Sequence, residues 1–243
     1  MPKFFLDSID PKTGFVTLTG ENASHARVLR LKNGDAVTVC DGSGTDYRCT
    51  VSDVSDGCVS LVVHSADASA AEARVRCTVY MAFAKGDKVE HVVQKATELG
   101  ADAIVAFPCR RCVSRPDGKS LDKKLERWQK IAASAAEQSG RGRIPTVTAA
   151  DSYEQALSRA AQAELSVLFY ENERANTFRA AMEAAPFATA ALITGPEGGF
   201  EAEEVRQAEE KGIRICTLGS RILRCETAPL CALAALMYAA GEF

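Results

Sequence analysis

The sequence predicts an α/β protein in two unlike parts: a small N-terminal β-barrel (1–70), then a larger domain (74–243) built on a parallel sheet with helices on both faces. Three observations carry this. Up to about residue 66 the chain alternates short β-rich runs with turn signals. Between Ala66 and Ala73 it turns Ala/Ser/Asp/Glu-rich with no long apolar residue, as a linker does. Beyond that, segments with strand patterning alternate with segments of helical period.

In the first part the extended runs are Phe15–Thr19, Ala36–Asp41, Tyr47–Val54 and Cys58–His64. Asn33-Gly34-Asp35, Asp41-Gly42-Ser43-Gly44 and Asp56-Gly57 supply the turns. The second part opens with strand Val75–Ala82 and helix Asp87–Leu99, in which Val89, Val92, Val93, Ala96 and Leu99 recur at helical spacing. Asp87 is placed to cap its start, and Gly100 stands where a left-handed terminal residue is wanted. Strand Ala103–Phe107 follows, then helix Ser120–Ser139, whose face of Leu121, Leu125, Trp128, Ala132 and Ala135 puts the single tryptophan in the core. Further on come helix Ser152–Ala163, strand Ser166–Tyr170, a helix near Asn176–Ala184, strand Thr189–Thr194, helix Ala202–Lys211, strand Ile213–Leu218 and a final helix from about Ala228.

With 243 residues and 47% apolar side chains the chain is long enough to bury a sizeable core. No run approaches the roughly 18 apolar residues of a membrane span, and the opening Met-Pro-Lys-Phe-Phe lacks the pattern of a secretory leader, so a cytoplasmic protein without membrane contact is expected. Nine cysteines, an odd set spread through predicted strands and helices, fit reduced thiols better than a disulfide framework. Cys109 and Cys112 form one C-x-x-C, which reads as a redox pair or as half of a zinc site; with no second pair, no nearby histidine and a flanking Arg110-Arg111, neither metal nor redox chemistry is expected. Net charge is −3, so attraction to nucleic acid must come from local cations, of which Arg110, Arg111, Arg115, Lys119, Lys123, Lys124, Arg127, Arg141 and Arg143 are the densest run. That run reads equally well as a solvated helix face with its flanking loops.

Chemistry concentrates at two strand ends. Strand Thr189–Thr194 runs into Gly195-Pro196-Glu197-Gly198-Gly199-Phe200 and a helix carrying Glu201, Glu203 and Glu204. A glycine-rich strand-to-helix turn sets bare amides beside a ligand. There is no Gly-Lys-Ser/Thr, and four carboxylates with no cation argue against a phosphate; a neutral or positive ligand such as a sulfonium is expected. Gly199→Val should then abolish binding by filling the ligand's space. The second element is Leu218-Gly219-Ser220-Arg221-Ile222-Leu223-Arg224-Cys225-Glu226-Thr227-Ala228. Two arginines and a glutamate between a buried strand and a buried helix must pair, for instance Arg224 with Glu226 or Glu197, or work.

Together, in this order and spacing, the two elements closely resemble the RsmE family of the SPOUT methyltransferases. The likeness extends over nearly the whole chain, through Lys95-Ala96-Thr97-Glu98-Leu99-Gly100, Glu137-Gln138-Ser139, His25, Val28-Leu29-Arg30 and Gly34-Asp35. Cys225 stands where the family leads one to expect a small or hydroxyl residue, and Cys109 and Cys112 lie in a stretch expected to contain serine. The resemblance implies a PUA-like β-barrel followed by an α/β domain whose C-terminal segment threads a deep trefoil knot, a rare exception to unknotted connections. It implies a homodimer, S-adenosyl-L-methionine as cofactor, and methyl transfer to N3 of a uridine in 16S rRNA of the small ribosomal subunit.

That reaction needs alignment of donor and acceptor, and stabilisation of the uracil ring as N3 loses its proton. Glu226 and Glu98 are candidate bases, and Arg224 and Arg221 candidate stabilisers of the uracil oxygens. Thr194, Gly195, Gly199, Leu218, Gly219, Ile222 and Leu223 are expected to hold the cofactor through main-chain groups. Arg27, Arg30, Arg111 and Arg141 are expected to contact RNA phosphates. Two competing readings are a catalytically silent RNA-binding protein of the same fold and a nucleotide- or phosphosugar-dependent transferase.

Overall fold

The computed structural model describes residues 1–6, 9 and 13–243 and divides into two compact units. One comprises Met1–Glu72 with Ala136–Ile144, the other Ala73–Ala135 with Pro145–Phe243.

The first unit holds β1 (Lys3–Phe5), β2 (Phe15–Thr19), α1 (Gly20–Val28), β3 (Ala36–Cys40), β4 (Thr45–Ser55) and β5 (Cys58–Ala68). They form a sheet in the order β1-β3-β4-β5-β2, antiparallel except for the β1/β3 pair, and no ladder joins β1 to β2 among the described residues. Alternation does the sorting: in β2, Val16 and Leu18 turn inward and Phe15, Thr17 and Thr19 outward. Phe4, Leu18, Val37, Val39, Val51 and Leu61 close the core. The strand β5 runs on to Ala68, so Ala66–Ala68 is strand and not linker; it pairs with Thr45–Tyr47, beyond a register shift at Arg48/Cys49.

The second unit contains β6 (Arg76–Ala82), α2 (Lys88–Glu98), β7 (Ala103–Phe107), α3 (Gly118–Ser139, whose last four residues belong to the first unit), β8 (Thr146–Ala149), α4 (Tyr153–Ala160), β9 (Leu165–Phe169), α5 (Phe178–Glu183), β10 (Thr189–Thr194), α6 (Ala202–Glu210), β11 (Arg214–Cys216) and α7 (Thr227–Ala239). The six strands are parallel in the order β11-β9-β10-β6-β7-β8. The central strands are buried on both faces, as strands covered by helices must be: Leu165–Phe169 is buried at every position, Ser166 included. Asp87 precedes α2 without capping it by its side chain, whereas Ser152 and Thr177 cap α4 and α5 by accepting from the Gln155 and Ala180 amides. Trp128 is 3% exposed, in the core as its helical spacing predicts.

Candidate cofactor cleft

The carboxyl ends of the three neighbouring strands β11, β9 and β10 open into one cleft of about 440 Å³. This is where an open parallel sheet binds ligands, and the volume suits a small cofactor. The end of β9 and the residues after it contribute Phe169, Tyr170 and Glu171, β10 contributes Thr194 and the loop 195–200, and the segment after β11 contributes 217–219 and 221–225; Lys88 reaches in from the first turn of α2. All seven residues expected to hold the cofactor line it, as do Arg221 and Arg224.

The first loop is held by what surrounds it. Thr194 is buried and its hydroxyl donates to the Tyr80 carbonyl at 3.3 Å. Phe200 is buried against Phe107 (rings parallel, centroids 6.5 Å) and Tyr153 (6.0 Å), anchoring the end of the turn. The amide of Gly199 donates to the Pro196 carbonyl at 3.0 Å, and Gly199 adopts φ +66°. A Cβ there would strike the Glu171 carboxylate. Gly199 is thus required by its own backbone and by Glu171, a different reason from the ligand contact that the sequence suggests. A Cβ on Gly195 would come within 3.2 Å of the Phe200 ring.

The four carboxylates of this segment are not bare. Glu197 accepts from the Lys85 amide and from Lys88 Nζ, both at 3.0 Å. Glu201 pairs with Arg110 at 3.0 Å and Glu203 with Arg206 at 2.7 Å. Glu204 is buried and accepts from the amides of Arg110 (2.8 Å) and Glu201 (3.0 Å), so it serves the helix start. Partial burial pushes the Glu197 carboxyl up, but the Lys85 amide and the Lys88 ammonium outweigh it and hold the pKa below the ordinary range. Lys88 is raised in return, chiefly by its hydrogen bond to Glu197. The electrostatic case against phosphate is therefore weaker than the sequence implies, since each of these acids carries its own partner.

The second loop differs. Leu218, Ile222 and Leu223 have backbone amides without a protein partner among the described residues, and Gly219 takes φ +106° with open space where a Cβ would stand. Main-chain donors are thus available to a ligand, which is what a cofactor read by backbone groups needs. Arg221 and Arg224 are exposed, and their guanidinium groups make no ion pair or hydrogen bond among the described residues, although the Arg224 carbonyl accepts from the Thr227 and Ala228 amides (2.9 and 3.0 Å). The expected burial cost does not arise, and Arg224 pairs with neither Glu226 nor Glu197. Glu226 lies 3.7 Å from Lys88 Nζ and accepts from the Cys225 thiol at 3.3 Å. Its own amide holds its pKa low, with the thiol, Lys88 and Arg224 adding to this. Burial pushes the Cys225 thiol up to about 11.

Glu98 does not join this group. It ends α2, ten residues from Lys88 and so about 15 Å along the helix, and it pairs with Lys95 at 2.8 Å. Arg141 is 3% exposed, and its guanidinium pairs with Glu72 at 2.7 Å inside the first unit, so its charge is not offered to a phosphate. Arg27 pairs with Asp56 (2.9 Å), and Arg111 donates to the Gly198 carbonyl (2.9 Å). Arg30 is exposed without a side-chain partner among the described residues and adopts φ 56°. Sequence reasoning missed Lys88 and Glu171. Their residue types gave no signal; only the strand order, which sets β9 between β11 and β10, brings Glu171 to Gly199. No cluster of three or more His, Cys, Asp or Glu able to hold a metal occurs among the described residues, and no helix there is long and apolar enough to cross a membrane.

A glycine-lined cleft at parallel strand ends, rimmed by exposed arginines, sits in a chain whose class is that of RNA methyltransferases. Residues 71–237 match the RNA methyltransferase domain and residues 18–63 the RNA methyltransferase PUA domain. Ribosomal RNA small subunit methyltransferase E of Bacillus subtilis is 39% identical over 229 residues, covering 91% of this chain and 89% of the relative. The Mycobacterium bovis protein of the same name is 35% identical over 96% of this chain and 90% of its own. Among solved structures, ribosomal RNA small subunit methyltransferase E from Neisseria gonorrhoeae bound to S-adenosyl methionine superposes with a TM-score of 0.86 at 31% identity, over 98% of this chain and 97% of that one. A Legionella pneumophila methyltransferase in complex with the same cofactor gives 0.82 at 31% identity, over 93% and 92%. The chain belongs to the RsmE family of RNA methyltransferases, with an N-terminal PUA-like domain and a SPOUT-type parallel sheet.

Proposed function

We propose that this protein transfers the methyl group of S-adenosyl-L-methionine to N3 of a uridine in 16S rRNA of the small ribosomal subunit, giving 3-methyluridine. The observation that carries the reading is the second loop: it lines the cleft, and the main-chain amides of Leu218, Ile222 and Leu223 and the side chains of Arg221 and Arg224 have no protein partner among the described residues. The names of the relatives supply the substrate class, and the two cofactor-bound neighbours support the donor.

Thr194, Gly195, Gly199, Leu218, Gly219, Ile222 and Leu223 are the residues that hold the cofactor in this reading. When bound, S-adenosylmethionine supplies a methyl group activated by its sulfonium. The work left to the chain is alignment of the acceptor nitrogen and stabilisation of the uracil as its N3 proton leaves. Arg224 and Arg221 take the second task, since neither is neutralised by a neighbour. Glu226 is a weak base: its lowered pKa places it further from neutrality than an ordinary carboxylate, where proton acceptance is inefficient. It acts in concert with Lys88 to fix the loop, and charge stabilisation by the arginines does more than proton abstraction.

The segment after β11 is read as threading a deep trefoil knot. In support, β11 lies at one edge of the sheet beside β9, while α7 returns to pack on α2, β10 and β6. A homodimer is part of the same proposal: α7 (TAPLCALAALMYA) is apolar on nearly every face, and Tyr238 is exposed at 74%. The first unit, with Arg27 and Arg30, grips the RNA, and the protein works in the cytoplasm, where its substrate is.

Calorimetric titration with S-adenosylmethionine, then incubation of the complex with methyl-unmodified small subunits, tests the proposal. Binding and a new 3-methyluridine are expected. Absence of binding would favour a silent RNA-binding protein, and binding abolished by ATP would favour a nucleotide-dependent transferase.

A further inference from the structure

The C-x-x-C at Cys109 and Cys112 has no part in the cleft chemistry, yet its geometry is specific. The two sulfurs are 3.4 Å apart, and the Cys109 amide also donates to Cys112 Sγ at 3.2 Å. Both side chains are buried (4% and 7% exposed), and both are free thiols. Arg115 closes the loop from below, donating to the carbonyls of Cys109 (3.1 Å), Arg110 (2.8 Å) and Cys112 (3.3 Å). A separate cavity of about 370 Å³, lined by Pro108, Asp151, Ser152 and Tyr153 among others, reaches Cys109. The cavity thus brings a small solute to Cys109, whose sulfur is 3.4 Å from that of Cys112.

The two residues between the cysteines add to the contacts that hold the cofactor loop and the helix start after it. Arg111 Nη1 donates to the Gly198 carbonyl at 2.9 Å, and a Cβ on Gly198 would lie 3.1 Å from Arg111 Cβ. Arg110 donates through its amide to Glu204 (2.8 Å) and through its guanidinium to Glu201 (3.0 Å). Any change in the Cys109–Cys112 turn is therefore transmitted to the segment 198–204.

We propose that Cys109 and Cys112 form an oxidisable dithiol whose substrate is a small hydroperoxide, and that closing its disulfide loosens the cofactor loop. The coupling to cofactor affinity rests on the cleft being the cofactor site; the disulfide itself does not. The shared hydrogen bond favours ionisation of the Cys112 thiol and opposes that of Cys109, so one sulfur serves as thiolate while the other keeps the proton. The thiolate attacks a peroxide oxygen and the O–O bond breaks. With hydrogen peroxide, the departing hydroxide takes the second thiol's proton and leaves as water. The second sulfur, now a thiolate, attacks the sulfenic sulfur and forms the S–S bond. Hydroxide is expelled and protonated by solvent, so two thiols and one hydrogen peroxide give one disulfide and two waters. Bond formation draws the sulfurs from 3.4 Å to about 2.05 Å. In this proposal part of that movement is taken up by the turn, which shifts Arg110 and Arg111 against the segment 198–204.

The test treats the full-length protein with a few equivalents of hydrogen peroxide, blocks residual thiols, and maps disulfides by peptide mass spectrometry; S-adenosylmethionine affinity is measured before treatment, after it and after dithiothreitol. A Cys109–Cys112 linked peptide, with affinity falling severalfold and recovering on reduction, is expected. The C109S/C112S variant should keep the starting affinity under the same treatment, which separates this pair from exposed Cys231. No linked peptide would overturn the dithiol proposal, and a linked peptide with unchanged affinity would overturn the coupling. Failure of the untreated protein to bind the cofactor would instead count against the cleft assignment, while the peptide map still decided the disulfide.

Discussion

Gly199 is fixed by its own loop before any ligand is considered. Its left-handed backbone costs a non-glycine residue about 1–2 kcal/mol, and the Glu171 carboxylate occupies the place of a side chain. Gly199→Ala should weaken S-adenosylmethionine binding about tenfold in calorimetry. Adding Glu171→Ala should recover part of the loss by removing the collision, though not the backbone strain. Additive losses in the double variant would mean that Glu171 contacts the ligand and not the glycine. Arg224 presents the opposite case, an exposed cation whose guanidinium has no ion-pair or hydrogen-bond partner among the described residues and adds only a minor electrostatic contribution at Glu226. Arg224→Ala should leave cofactor affinity and melting temperature unchanged and slow methyl transfer about a hundredfold; full activity would remove it from the reaction. The Lys88–Glu197–Glu226 group sets a pH window. Both glutamates have folded pKa values below the ordinary carboxylate range, so their contribution is complete above that range and lost as pH falls through the lowered values. Lys88 is raised, so its contribution persists until pH climbs through its elevated value. Cofactor affinity should stay flat across neutral pH and drop only in acid, below the ordinary carboxylate range. A drop centred near pH 6.5 would point to histidine instead.

Among the elements, the second unit was the more legible because its strands are long, apolar and separated by helices of clear period. Ala103–Phe107 and Thr189–Thr194 match their expected limits, and α2, α4, α5 and α6 fall within a few residues of theirs. Three elements gave too little pattern: β1 has three residues, β8 four, and the apolar residues of α1 are mostly alanine. The Ala/Ser/Asp composition of 66–73 signalled a linker, but pairing with β4 carries β5 to Ala68, tertiary hydrogen bonding overriding local composition. Both cleft loops were readable as glycine and arginine motifs. The expectations of Glu98 as a base and Arg141 as an RNA contact were less so, because facing depends on register: Glu98 sits a helix length from Lys88, and Arg141 is turned inward. Glu72 accepts from Arg141 Nη2 (2.7 Å) and from the Gly142 and Arg143 amides (2.7 and 3.0 Å), tying 141–143 to the first unit. Removing one partner of a buried pair costs about 3 kcal/mol or more. Glu72→Ala should therefore lower the melting temperature by several degrees in a thermal scan, and Arg141→Ala should destabilise likewise without changing the salt dependence of RNA binding. A shallower salt slope at unchanged stability would restore Arg141 as a phosphate contact.

At the scale of the whole molecule, a net charge of −3 leaves RNA recognition to a few cations. Most of the basic run from Arg110 to Arg143 is engaged internally: Arg110 with Glu201, Arg115 with carbonyls, Arg127 with Glu90 at 2.6 Å. Lys119 and Lys123 are exposed without partners among the described residues, as are Arg30, Arg221 and Arg224. Replacing Lys119 and Lys123 by Gln should reduce the salt slope of RNA binding by about two, read by titration at several ionic strengths. An unchanged slope would place the RNA elsewhere.

The most direct measurement is mass spectrometry of digested 16S rRNA after methyl-unmodified small subunits have been incubated with the purified protein and S-adenosylmethionine. One new 3-methyluridine per subunit, absent without cofactor and strongly reduced with Arg224→Ala, is the predicted result. A methyl group on another base or another atom, or none despite bound cofactor, would contradict the assignment of N3 of uridine as the acceptor.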